Sequence, residues 1–185
     1  MLLLLTGLFL WTLVHFLPVF APNVRKKLIN AIGAGPYKGL FSLSLICAIA
    51  LIINGWQNTA EEFYFPQMVG VRELSFILVF VGVVFFVASG VRSNIKRYFR
   101  HPQLNGVMLW AFAHILSNGQ LKAFIIFGGL MVWAVLMKIG INKRNGPWEK
   151  PEAVRYGQDV QVALVATVSY GLLIYLHQYF AIALI

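Results

Sequence analysis

Four histidines, His15, His101, His114 and His177, are the residues of this sequence best suited to chemistry. An imidazole can act as acid, base or metal ligand near neutral pH, and its surroundings decide which. His15, His114 and His177 lie in long apolar stretches that hold almost no other ionisable group. An ionisable side chain is costly in such a stretch, which makes these three functional candidates. The plainer reading, a neutral imidazole bonding a neighbouring helix's backbone or a Ser/Thr hydroxyl, stays open for each taken singly.

Two of the histidines share a local pattern, Trp11-Thr12-Leu13-Val14-His15 and Trp110-Ala111-Phe112-Ala113-His114. On a helix, residues at i and i+4 share a face, so each tryptophan and its histidine would line one cavity. Gly106, Ala111 and Ala113 beside His114 are small enough for a flat macrocycle to approach. No carboxylate falls in the interior of the apolar stretches, Glu73 standing at the edge of one, which disfavours di-iron and hydrolytic zinc sites. Neutral imidazoles in a dry aromatic pocket suit haem iron instead. Arg97 and Arg100 are candidates for holding haem propionates, although both also serve as topology charges.

Other chemistries find little support. Ser42, Ser44, Ser89, Ser117 and Ser169 cannot be joined to a histidine and a carboxylate, because the acids are confined to the loops. Cys47 is the single cysteine, which excludes an intramolecular disulfide and a thiolate-rich metal site. It is expected to be a small buried hydrophobe. Gly33-Ala34-Gly35-Pro36-Tyr37-Lys38-Gly39 lacks the spacing of a nucleotide fingerprint and reads as a hinge.

The elements that must position these side chains follow from composition. The 185 residues are 59% hydrophobic and only 11% charged, against about a quarter charged in soluble domains. Membrane-length apolar runs predict an all-α polytopic transmembrane helix bundle. It is one domain over 1–185, with about six spans near 2–20, 37–56, 72–91, 103–118, 121–140 and 161–184. The first run has no basic residues before it and Arg25, Lys26 and Lys27 after it, as in an uncleaved helix with its N-terminus outside. The formal charge of +9 does not mark a nucleic-acid binder, because the basic residues sit in short clusters between spans. Thirteen of the fifteen fall on alternate loops, with only Arg72 and Lys122 on the other side beside Glu61, Glu62 and Glu73. The positive-inside rule then puts the basic loops in the cytoplasm and both termini outside.

Local signals refine the picture. Pro102 suits a first helical turn and Asn118-Gly119 a C-terminal cap, leaving a fourth span near 24 Å, short of the ~30 Å hydrocarbon core. Spans four and five should form a tight hairpin. Trp56, Phe63, Tyr64 and Phe65 read as outer interfacial aromatics, Trp148 and Tyr156 as inner ones. The loop 141–161, with two prolines, should be irregular or a surface helix. Glycines at 82, 90, 128 and 129 offer surfaces for docking to a partner subunit. Helical rise separates His101 from His114 by about 20 Å, so the two cannot share a metal. His15 falls in the inner half of its span and His114 in the outer half, a mismatch on the order of 10 Å. His114 and His177 both fall in outer halves.

The stretch Arg100-His101-Pro102-Gln103-Leu104, continuing through Leu109-Trp110-Ala111-Phe112-Ala113-His114 to Asn118-Gly119, resembles the NnrU family. So do His15, Arg25, the Tyr37-Lys38 start of span two and His177. These are bacterial membrane proteins named from denitrification clusters for nitrite and nitric oxide metabolism, and the family is similar to the plant haem b enzyme 15-cis-zeta-carotene isomerase. The resemblance implies a haem b held by His15 and His114, with His177 as the alternative ligand and His101, Trp11, Trp110 and Asn118 near the site. Arg25 joins Arg97 and Arg100 as a propionate candidate. It also implies a lipid bilayer as partner, with nitric oxide or a small apolar polyene as ligand. Where the isomerase carries a cysteine three residues before the span-four histidine, this chain has Ala111, so it has no thiolate to switch to. A histidine-dependent transporter or a structural subunit without haem is the competing reading.

Single cysteines placed beside Arg97 and beside Lys143, each in a Cys47→Ser background, should react with an impermeant thiol reagent from the same cytoplasmic side. Labelling from opposite sides would break the topology.

Overall fold

A computed structural model of the chain describes residues 1–64 and 70–180, without the side chains of Gln178 and Phe180. It is helical throughout: α1 (Leu2–Phe20), α2 (Pro22–Ile32), α3 (Ala34–Gln57), α4 (Val71–Gly90), α5 (Pro102–Asn118), α6 (Leu121–Asn145) and α7 (Tyr156–Phe180). A single 3-10 turn at Asn94–Arg97 precedes α5. The only pairing of strand type among the described residues is one isolated bridge, Phe63 to Gln120. Five of the helices, α1, α3, α4, α6 and α7, are long and apolar enough to cross a membrane. The expected fourth span, α5, has 17 residues, about 25 Å, and is not one of those five. The expected interfacial Phe65 and the end of span six at 181–184 lie outside the described residues.

The chain divides into two compact units, Met1–Gln67 with Asn118–Gly146, and Met68–Ser117 with Pro147–Ile185. In the first, α1 runs antiparallel to α3, the Gly55 backbone against Leu4 and Gly7 against Ala48 and Ile52. Parallel to α1 runs α6, Gly129 meeting Leu8 and Gly140 meeting Val19 and Phe20. Arg144 closes that end with a hydrogen bond from its guanidinium to the Pro18 carbonyl, 3.1 Å. Arg25, Lys26, Lys27, Lys38, Lys143 and Arg144 therefore collect at one end of the unit. At the other end Lys122, 2% exposed, places its ammonium 3.4 Å from Glu61 and 4.9 Å from the Trp56 ring centre. Pairing and aromatic contact together make a buried ammonium tolerable.

In the second unit α4 runs antiparallel to both α5 and α7. The Ser75 hydroxyl donates to the Ala113 carbonyl at 3.2 Å, and the Tyr170 hydroxyl to the Phe76 carbonyl at 2.9 Å. The basic end is tied by Asn94. Its backbone N–H and side-chain amide donate to the Asp159 carboxylate at 2.8 and 2.6 Å, and its amide exchanges two bonds with Val154. This knot fixes where α7 begins relative to the turn after α4.

Side chains are distributed inside out. Ala48, Ala88, Ala111, Ala123, Ala134 and Ala166 are fully buried, whereas Leu2, Phe9, Ile46, Ile77, Leu164 and Val168 are more than half exposed. Helices surrounded by hydrocarbon behave this way, since large apolar residues gain nothing by turning inward and small ones let backbones approach.

Three expectations change. The segment after α1 is a helix, α2, begun by Pro22 at its first turn and ended at Gly33, whose φ is 88°; the expected hinge narrows to that residue, because 34–39 already belong to α3. The helix α2 is too short and charged to span. Val24, Leu28 and Ile32 recur every fourth residue and stay exposed, as on an amphipathic surface helix. Cys47 is exposed, not buried, because an outward position in a membrane helix is as apolar as an inward one. Two of the proposed docking glycines serve internal contacts: Gly129 receives Leu8, and Gly82 faces Gly106.

At that last contact α4 and α5 meet backbone to backbone. A Cβ on Gly106 would sit 2.6 Å from the Gly82 carbonyl oxygen, whereas one on Gly128 would meet nothing within 4 Å. Gly106→Leu should therefore lower stability in detergent by about 1–3 kcal/mol or more, read as an earlier thermal transition, and Gly128→Leu should leave it unchanged.

Candidate functional site

The first unit gathers His15 into an aromatic cluster. Its ring centre lies 4.3 Å from Trp11, 5.1 Å from Trp133 and 5.9 Å from Phe41, so α1, α3 and α6 each contribute a wall. His15 Nδ1 lies 2.9 Å from the Trp11 carbonyl oxygen. A carbonyl only accepts, so Nδ1 carries the proton and the lone pair of the neutral ring is on Nε2. Tyr37 continues the cluster toward the basic end, 6.4 Å from Phe41 and with the Arg25 guanidinium 5.7 Å above its ring.

The second unit holds the other three histidines. His114 repeats the arrangement of His15: Nδ1 donates to the Trp110 carbonyl at 2.8 Å, with the Trp110 ring 4.8 Å away. Beside it, from α7, stands His177, with ring centres 6.3 Å apart and planes inclined by only 14°. His177 Nδ1 is buried and makes no hydrogen bond. His101 lies at the opposite end of α5, where its carbonyl accepts from the Asn105 N–H at 3.0 Å. Asn118 is the last residue of α5.

The i, i+4 spacing of tryptophan and histidine thus has a meaning beyond a shared face. The histidine's N–H is satisfied by the tryptophan's backbone carbonyl, and this fixes both tautomer and ring orientation. Ligating histidines are commonly held in this way, the second ring nitrogen donating to a carbonyl.

Donor chemistry can be tested against a metal. Among the described residues no three of His, Cys, Asp and Glu come together, so no cage made of protein ligands alone is present there. A haem brings its own equatorial nitrogens and asks only for axial imidazoles. His114 and His177, with ring centres 6.3 Å apart and the His177 Nδ1 buried without a partner, are the imidazoles of the second unit that would hold it. His15 is equally well prepared as a ligand but belongs to the other unit.

The propionate candidates divide by place. Arg97 and Arg100 lie with His101 at the basic end of the second unit, about 20 Å along α5 from His114. They are too far to serve a haem at that histidine. Arg72 is the cation at the right end, three residues before Ser75, whose hydroxyl reaches Ala113 beside His114. Sequence reading assigned Arg72 to topology alone, since only the antiparallel contact of α4 and α5 brings it near. Trp133 and Phe41 were missed for the same reason, as nothing in α3 or α6 marks them as partners of His15. Arg25 remains on the His15 side through Tyr37.

Comparison with curated proteins and with solved structures gives no match. The family model described as NnrU protein matches residues 3–183, nearly the whole chain, and this polytopic helical membrane protein belongs to the NnrU family.

Proposed function

We propose that this chain is a haem b-binding protein of the bacterial inner membrane, linked to nitrite and nitric oxide metabolism, with His114 and His177 as the axial pair. The observation that carries the reading is the near-parallel placement of these two rings at 6.3 Å. The fixed tautomer of His114 supports it further. When bound, a haem would supply an iron centre able to change redox state and to take a diatomic or unsaturated ligand.

The chain's own residues do the positioning. Through its carbonyl, Trp110 aims His114, and the Tyr170 hydroxyl locks α7, which carries His177, to α4. Arg72, with its guanidinium 5.7 Å from the Phe76 ring centre, is the cation available for a propionate. The Asn94–Asp159 knot holds α7 at its first turn and the Tyr170 hydroxyl holds it midway. Ala111, fully buried one turn before His114, offers no thiolate, and this favours a nitric-oxide-linked role over isomerase activity on a polyene.

Full-length protein produced with haem supply should show a Soret band that shifts on reduction. His114→Ala and His177→Ala should each remove or strongly alter it, His15→Ala should keep it, and Trp110→Phe should keep it because the bond uses the backbone. Loss of the band in His15→Ala with retention in His177→Ala would replace this pairing with His15 and His114. A complete lack of chromophore, together with histidine-dependent uptake in liposomes, would establish the transporter reading instead.

A further inference from the structure

The first unit contains a polar feature that the haem reading does not use. Trp11 Nε1, Trp133 Nε1 and the Tyr37 hydroxyl are all buried and none has a hydrogen-bond partner. Trp133 is 6% exposed and Tyr37 9% exposed. Indole N–H groups only donate, and a buried donor without an acceptor is costly, so native structures rarely leave several of them in one neighbourhood. Here two indoles lie 5.8 Å apart, both against the ring of His15, and the phenol follows one aromatic ring further along. His15, Trp11 and Phe41 are only partly buried, so the cluster is reachable from one side.

We propose that this cluster binds a lipid-soluble quinone. The chemistry narrows the ligand in three steps. Unmet donors outnumber acceptors, so the ligand must carry acceptor oxygens. The walls are aromatic and lie within apolar helices, and such walls suit a flat, uncharged ring that arrives through the hydrocarbon. Burying an anion on two indoles would leave its charge uncompensated, and this disfavours a free carboxylate or phosphate. A cyclic diketone satisfies all three conditions, its carbonyl oxygens accepting from the indoles. The lone pair on His15 Nε2, left open when Nδ1 bonds the Trp11 carbonyl, would accept from the hydroxyl of the reduced form. The site lies wholly in the first unit and does not depend on haem binding in the second.

The test uses full-length protein in nanodiscs with nitrogen-15-labelled tryptophan, titrated with decylubiquinone. The chain has five tryptophans, hence five indole N–H resonances. Those of Trp11 and Trp133 should shift saturably while those of Trp56, Trp110 and Trp148 stay. Trp133→Phe, Trp11→Phe and Tyr37→Phe keep a ring and drop one donor, and each should weaken binding about tenfold. His114→Ala, which removes the proposed haem ligand, should leave the titration unchanged. The idea is overturned if all five resonances drift together without saturation, as in simple partitioning, or if none moves and the indoles exchange only with water. Saturable binding that ignores all three Phe variants, or that disappears in His114→Ala, would also overturn it.

Discussion

Hydrocarbon removes the force that normally drives large apolar side chains inward, and the structure is organised around that loss. With lipid as apolar as leucine, helices gain from contact only where backbones can come close and dispersion and polar contacts accumulate. Hence alanines at 48, 88, 111, 123, 134 and 166 are fully buried, while many large apolar side chains, Leu2, Phe9, Ile46 and Leu164 among them, face out. Gly7 and Gly55 bring backbones close between α1 and α3, as do Gly82 and Gly106 between α4 and α5. Each contact is short-ranged, so each unit holds together through a few close approaches and not through one wide apolar core.

The same medium explains how the histidines are held. A ring nitrogen in hydrocarbon must find a partner, and the nearest is the carbonyl one helical turn back. His15 and His114 both take it. The bond costs the helix little, since a carbonyl has two lone pairs, and it sends the remaining nitrogen outward from its own helix in a fixed tautomer. One local rule, repeated on α1 and α5, thereby prepares two separate ligand positions. What each can do is set by its neighbours. An imidazole stands beside His114, whereas indoles, a phenyl ring and, further along, a phenol surround His15.

Polar side chains are concentrated at the ends of the units, where they substitute for the close packing available along the spans. Lys122 with Glu61 and Trp56 closes one end of the first unit, and Asn94 with Asp159 closes one end of the second. Asp159 lies only partly buried and is matched by neutral amide donors, so its charge is stabilised by hydrogen bonds without a cation in the knot. These clasps fix helix starts, and through them the heights at which His15, His114 and His177 stand.

Sequence alone determined the elements. Unbroken apolar runs bounded by basic clusters leave the backbone no option in hydrocarbon but helix, so α1 and α5 fall almost where Met1–Phe20 and Pro102–Asn118 suggest. The family was also legible, carried by the residues around His101 and His114. The surface helix α2 was not, because eleven residues with three charges resemble a loop until an interface gives their apolar face something to lie on. Nor was the exposure of Cys47, since inside and outside of a membrane helix have the same polarity and periodicity carries little signal. Partnership between helices was decided only in three dimensions. His177 beside His114, Trp133 against His15, and Arg72 at the His114 end all depend on which small residues let which backbones approach, and that choice is a property of pairs of helices, not of any one of them.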